Sequence, residues 1–148
     1  MKIIACIKRV PTTDAQAKID GNATSLDTGS FQYTSSFYDE LAVEEAVKTK
    51  ESLGGEVSIL TLGPSESSKE VRECIAKGAD AGVILTDDEW QSRDCRSTAK
   101  ALAAKIQELG ADLVFCGKVA TDRDNAAVGP MIATYLGFAC VTDVCELE

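Results

Sequence analysis

Five short apolar runs, near residues 2–8, 57–62, 81–85, 112–116 and 139–141, alternate with four segments of helical period. The runs are hydrophobic throughout rather than at every second residue, as strands covered on both faces should be. The helical segments lie near 39–53, 67–77, 94–109 and 125–136. In the third, Ala99, Leu102, Ala103, Ile106 and Leu109 fall on one stripe; in the fourth, Val128, Met131, Ile132 and Tyr135 do. Gly54-Gly55, Gly78, Gly110 and Gly137 each follow a helical run, where a glycine readily ends a helix. Strand–helix alternation with short connections implies an α/β fold: a parallel sheet covered by helices and wound by right-handed crossovers. One domain over residues 1–148 is the expectation.

The net charge of −9 excludes the basic surface that a nucleic-acid backbone or an anionic membrane demands. A single nucleotide remains compatible, because local backbone N–H groups outweigh a global charge. With no histidine in the chain, Ser-His and Cys-His nucleophile pairs are ruled out. Six cysteines stand at 6, 74, 95, 116, 140 and 145, none in CxxC spacing. Cys6 and Cys116 sit inside apolar runs as small hydrophobes. Neither a zinc site nor a disulfide framework is expected, and reduced thiols in a cytosol-like compartment are. The apolar run at 3–7 is too short for a signal peptide, and nothing approaches the ~20 apolar residues of a membrane span. The expectation is a soluble protein without membrane insertion.

One segment breaks the alternation. Residues 11–38 are polar, carry a turn signal at Asp20-Gly21-Asn22 and lack a 3.6 period. A connection this long is either functional or a small hairpin excursion, with short strands near 17–19 and 30–33.

Ligands of open parallel sheets bind beyond the carboxyl ends of the strands, where strand order reverses. The richest such segment is GKVATDRDNAAVGPM, residues 117–131. Gly117 permits a sharp turn, and Ala120, Ala126, Ala127 and Gly129 keep the wall low. The helix that follows offers unpaired N–H groups to an anion. Lys118 and Arg123 add positive charge; Asp122 and Asp124 either cap the helix or accept from ribose hydroxyls. Pro130 costs least in the first helical turn. The plain alternative is an ordinary strand–helix loop with aspartate caps. A Mg²⁺ site on two carboxylates alone is a weak case. Lys8-Arg9, after the first strand, suits a phosphate or a partner's carboxylate, or is merely a basic strand end. Trp90 reads as a loop anchor.

Four stretches in order and spacing, IIACIKRVP, FYDELAVEEAV, LGP followed by ECIAKGAD, and GKVATDRDNAAVGPM, resemble the β subunit of electron transfer flavoprotein. The resemblance implies a Rossmann-like parallel sheet with helices on both faces, of the adenine-nucleotide α-hydrolase type. It implies a structural AMP held here and a redox FAD carried with a partner α subunit. Electrons would pass from acyl-CoA or related dehydrogenases to a quinone reductase, with no catalytic residues on this chain. The implied nucleotide contacts are Cys6; Ser36, Phe37, Tyr38 and Asp39; Leu62; and the run Gly117, Lys118, Val119, Ala120, Thr121, Asp122, Arg123, Asp124, Asn125, Ala126, Ala127 and Val128.

The chain departs from the family where Asn-Pro is replaced by Ser36-Phe37 and glutamines by Val119 and Ala127. Each lost amide removes hydrogen bonds of about 0.5–1.5 kcal/mol. A flavin-bifurcating branch with FAD in the AMP site therefore stays open, as does a universal-stress-type ATP-binding module. Family β subunits also continue past VTDVCELE, so the likeness is to their N-terminal portion. The implied compartment is a prokaryotic cytoplasm, with the mitochondrial matrix as the alternative.

Overall fold

The computed structural model describes every residue except 23 and 148. In chain order the strands and helices are β1 (Lys2–Cys6), β2 (Arg9–Pro11), β3 (Lys18–Ile19), β4 (Leu26–Asp27), β5 (Tyr33–Ser35), α1 (Phe37–Leu53), β6 (Glu56–Gly63), α2 (Ser68–Ala76), β7 (Ala81–Thr86), α3 (Cys95–Leu109), β8 (Leu113–Cys116) and α4 (Val128–Leu136). Four strands form a parallel sheet in the order β7-β6-β1-β8. This is the helix-covered parallel sheet that the continuous apolar runs imply, in the Rossmann-like form that the resemblance implies.

Period-two alternation sorts the strand side chains between two helix layers. Ile3, Ala5 and Ile7, with Val57 and Ile59, pack under Val43 and Ala46 of α1 and Val71 and Cys74 of α2. Ile4 and Cys6, with Leu60 and Leu62, pack under Ala99, Leu102, Ala103 and Ile106 of α3 and Ile132 of α4. Each large aliphatic side chain so buried contributes about 1.5–3 kcal/mol. From β1 through β6 to β7 the chain moves one way, so α1 and α2 share a face. It then reverses to place β8 on the far side of β1, and α3 covers the other face, as crossovers of constant hand require. The order reverses between β1 and β8, so their carboxyl ends diverge and leave a crevice.

The excursion differs in detail from its expected form. Two hairpins share it: β3 pairs with β4, and β5 returns to pair antiparallel with β2. Asp20 explains the first, since its Oδ1 accepts from the N–H groups of Asn22 and Thr24 and its Oδ2 from Ser25 Oγ. That local turn closes the strand at Lys18–Ile19 on a nearby partner rather than on residues 30–33.

A fifth strand at 139–141 is not formed. Val141 is 82% exposed, and the segment has no ladder partner among the described residues. A strand exists only where its backbone groups pair, and an apolar sequence alone does not supply a neighbour. α4 begins at Val128, three residues later than the expected 125, because Asp124 and Ala126 have φ values of 51° and 49°. Left-handed residues cannot lie inside a right-handed helix.

Candidate functional site

The crevice beyond β1 and β8 is a cavity of about 1070 Å³. Its wall takes Cys6 from the end of β1, Lys8 from the link to β2, Leu62 from β6 and Asp39 from α1. Residues 116–123 and 125–129 form another side, the excursion closes a third, and Trp90 with the segment leading into α3 closes the fourth. The excursion thus takes the functional alternative left open for it, whereas the wall at Trp90 and the segment leading into α3 has no counterpart among the residues selected from sequence. Trp90 offered the signal: a lone tryptophan in a charged loop packs its ring on the α3 and α4 side of the core beside the cavity.

Asp39 organises the junction. It lies in the first turn of α1 and is buried, with Oδ2 accepting the Lys8 N–H at 2.8 Å and Oδ1 the Gly117 N–H at 3.1 Å. One carboxylate thus ties together the ends of the two strands that flank the crevice. Burial pushes its carboxyl up to about 7, against the downward pull of both N–H donors and of the Lys8 charge. Gly117 is required for a reason other than a turn, since it is not among the positive-φ glycines. A Cβ there would stand 2.7 Å from the Asp39 nitrogen, so only glycine lets α1 approach β8.

The long loop after β8 is braced from several directions. Lys8 Nζ donates to both oxygens of Asp122 at 2.7 Å. Arg123 donates to the carbonyls of Gln91 and Arg93, and Asn125 Nδ2 to Cys95 Sγ at 3.2 Å. Lys118 pairs with Asp143, and Ser36 Oγ donates to the Val119 carbonyl at 3.4 Å. Neither Asp122 nor Asp124 caps α4: the helix starts beyond their reach, and its N-cap, Ala127, has no side-chain bond.

That uncapped end has anion-binding geometry. Ala126 at φ 49° precedes Ala127 at φ −112°, ψ −25°. Successive residues of opposite hand converge their N–H groups into a concavity that suits an anion. Among the described residues, the N–H groups of Asn125, Ala126, Ala127 and Val128 meet no protein acceptor. A non-glycine residue held at positive φ costs about 1–3 kcal/mol and persists only where the surrounding structure holds it. Pro130, without an N–H, lies in the first turn of α4 as expected.

The floor carries two thiols. Cys6 and Cys116 are register partners on adjacent parallel strands, both facing α3 and α4. The neighbouring Cys116 thiol, together with burial, raises the Cys6 pKa well above its ordinary value.

Of the sequence-selected residues, Cys6, Asp39, Leu62, Gly117, Lys118, Val119, Ala120, Thr121, Asp122, Arg123, Asn125, Ala126, Ala127 and Val128 line the cavity. Ser36 is buried behind the loop, and Asp124 lies outside the wall. Phe37 and Tyr38 also lie outside it, 60% and 40% exposed, with their rings edge to face at 5.5 Å. Arg9 is not free for a ligand, because both oxygens of the buried Glu70 accept from its Nη1 at 2.7 Å.

The electron transfer flavoprotein domain family matches residues 32–148. Across its whole length the chain is 38% identical to an electron transfer flavoprotein subunit beta of Thermoanaerobacterium thermosaccharolyticum, covering 56% of that protein. It is 37% identical to the acryloyl-CoA reductase electron transfer subunit gamma of Anaerotignum propionicum, over 96% of this chain and 54% of that one. Protein FixA of Azorhizobium caulinodans is 35% identical over 99% of this chain and 54% of its own length. The chain thus spans little more than half the length of these relatives. No helix among the described residues is long and apolar enough to cross a membrane. With the parallel sheet in place and the family's domain matched from residue 32 to residue 148, the chain belongs to the electron transfer flavoprotein family.

Proposed function

We propose that this chain is the nucleotide-holding part of a β-type electron transfer flavoprotein subunit, and that its switch-point cavity binds an adenine nucleotide, AMP in the first instance. The observation that carries the reading is the concave, uncapped backbone at residues 125–128, opening on a cavity at the β1/β8 divergence. The ligand's phosphate would lie on those N–H groups, where dipole and unpaired donors both favour an anion. Small side chains at Ala120, Ala126 and Ala127 let a ribose approach the backbone, and Cys6, Leu62 and Cys116 give an apolar floor for a base.

The chain's contribution is binding and support rather than bond chemistry. A larger α subunit would carry FAD, whose flavin supplies one- and two-electron redox chemistry when bound. Acyl-CoA or related dehydrogenases would donate and a quinone reductase accept, in a prokaryotic cytoplasm. A second reading places FAD in this cavity, as in a flavin-bifurcating branch. Its support is size, since about 1070 Å³ reaches the top of the usual small-molecule range of roughly 300–1,000 Å³.

Natively purified protein, extracted with acid and resolved on a nucleotide column, should release AMP on the first reading and FAD on the second. An extract without any adenine compound, from protein that also fails to take up AMP in titration, defeats both. Co-purification with a larger chain as a yellow heterodimer tests the partner.

A further inference from the structure

Four basic side chains border the cavity: Lys8, Arg93, Lys118 and Arg123. Three are held from outside it or within its wall. Arg93 pairs with Asp87, Lys118 pairs with Asp143, and Arg123 donates to two main-chain carbonyls. Neither Asp87 nor Asp143 lines the cavity. Lys8 differs because its counter-ion, Asp122, is itself a cavity residue, and the pair spans from the end of β1 to the loop beyond β8. Asp122 makes no other side-chain hydrogen bond among the described residues. Both side chains keep some solvent access, 33% for Lys8 and 19% for Asp122.

Resting on the nucleotide reading above, we infer that Lys8 and Asp122 form an exchangeable pair: a ligand phosphate takes Lys8, and Asp122 is the resident anion that it displaces. The chain carries net charge −9, and the cavity wall already includes Asp39, Asp94 and Asp122. Seating another anion beside Asp122 without freeing its cation would add like-charge repulsion in a half-enclosed space. A lysine suits exchange, since its ammonium is a point charge with three rotatable donors on a flexible stem. Arg9, fixed at its guanidinium by Glu70, could not play this part. A charged phosphate oxygen gives a short, charge-assisted bond to replace the one lost. Asp122 thereby sets how strongly the site prefers a phosphorylated ligand over its nucleoside.

Calorimetric titration of the purified protein with AMP, adenosine and inorganic phosphate tests this, using Lys8→Met and Asp122→Asn. Both substitutions break the same ion pair, so a purely structural role moves affinity in the same direction for both. Exchange moves AMP affinity in opposite directions. Lys8→Met should weaken AMP about tenfold, whereas Asp122→Asn, which frees Lys8, should tighten it about threefold. Adenosine should change less than about twofold in either variant, and inorganic phosphate should follow AMP in sign. Should Lys8→Met not fold, Asp122→Asn alone decides: tighter AMP with unchanged adenosine supports exchange, and weaker AMP overturns it. Wild-type protein that binds no adenine compound defeats the nucleotide reading itself. Binding with effects of one sign, or equal effects on adenosine, defeats only the exchange.

Discussion

Asp39 and Gly117 are 78 residues apart in the chain, yet the Gly117 N–H donates to Asp39 Oδ1 at 3.1 Å. The contact exists because position 117 has no side chain: a Cβ would fall 2.7 Å from both the Asp39 nitrogen and the Tyr38 carbonyl carbon. Both atoms are backbone, so no rotamer change relieves the clash. Gly117→Ala must push α1 away from β8 and should cost about 1–3 kcal/mol, as overpacked sites do. The urea midpoint should fall with the slope unchanged. An unaltered midpoint would show that α1 docks loosely.

The Asp39 carboxyl gives stability a pH dependence of defined sign. Its folded pKa is raised to about 7 by burial, whereas an unfolded aspartate titrates near 3.9. Between those values the folded chain holds a proton that the unfolded chain has released. Stability is therefore greatest at the acid end of that window, falls as pH rises through it, and levels off above about 7. Asp20, Asp80, Asp87 and Asp94 are lowered instead, so they act below about pH 4 and leave the window clear. Asp39→Asn should flatten the slope of unfolding free energy between pH 4.5 and 7. Equal slopes in the two proteins would acquit Asp39.

Arg9 and Glu70 hold the excursion against α2. Glu70 is 0% exposed, and the Arg9 guanidinium also lies 4.5 Å from the Tyr33 ring centroid. Removing one charge leaves the other buried without a counter-ion, which costs about 3–5 kcal/mol. Glu70→Ala should destabilise by that order, and the double variant Arg9→Met with Glu70→Leu should recover most of it. A double variant no better than the single would mean that packing, and not the orphaned charge, sets the loss.

The central sheet was readable because its signal is local. Strands buried on both faces must be apolar throughout, and β1, β6, β7 and β8 all fall within the runs so identified or a residue or two beyond. The stripe on α3 and the glycine at 110 gave that helix's face and end in the same way. What sequence could not supply were contacts between distant positions. Lys8 reaches Asp122 across 114 residues, and nothing near either marks the other as its partner. Taken alone, Lys8 suits a phosphate, a partner's carboxylate or a plain strand end, and Asp122 suits a helix cap or a ribose. Gly117 looks from sequence like a turning residue, yet its need is close approach, which depends on where α1 docks. The run at 139–141 failed for the converse reason: it has strand composition, but pairing requires a neighbour.

Cysteine reactivity offers a footprint of the cavity that needs no mutation. Cys140 and Cys145 are exposed and lie away from the wall, Cys74 is buried, and Cys95 and Cys116 are half-buried in the wall. Cys6 also lines the wall but is buried, and its pKa is raised by Cys116 and by burial, so little of it is thiolate at neutral pH. A maleimide should label Cys140 and Cys145 first, Cys95 and Cys116 more slowly, and Cys6 and Cys74 last. AMP at ten times its Kd leaves about a tenth of the sites empty, and labelling of Cys95 and Cys116 should slow by about that factor. The tail cysteines supply the internal control, since ligand in the cavity covers neither. Peptide mapping by mass spectrometry separates the six positions. Protection confined to Cys95 and Cys116 places the nucleotide in the switch-point crevice, and uniform slowing at all sites would point to general tightening of the chain instead.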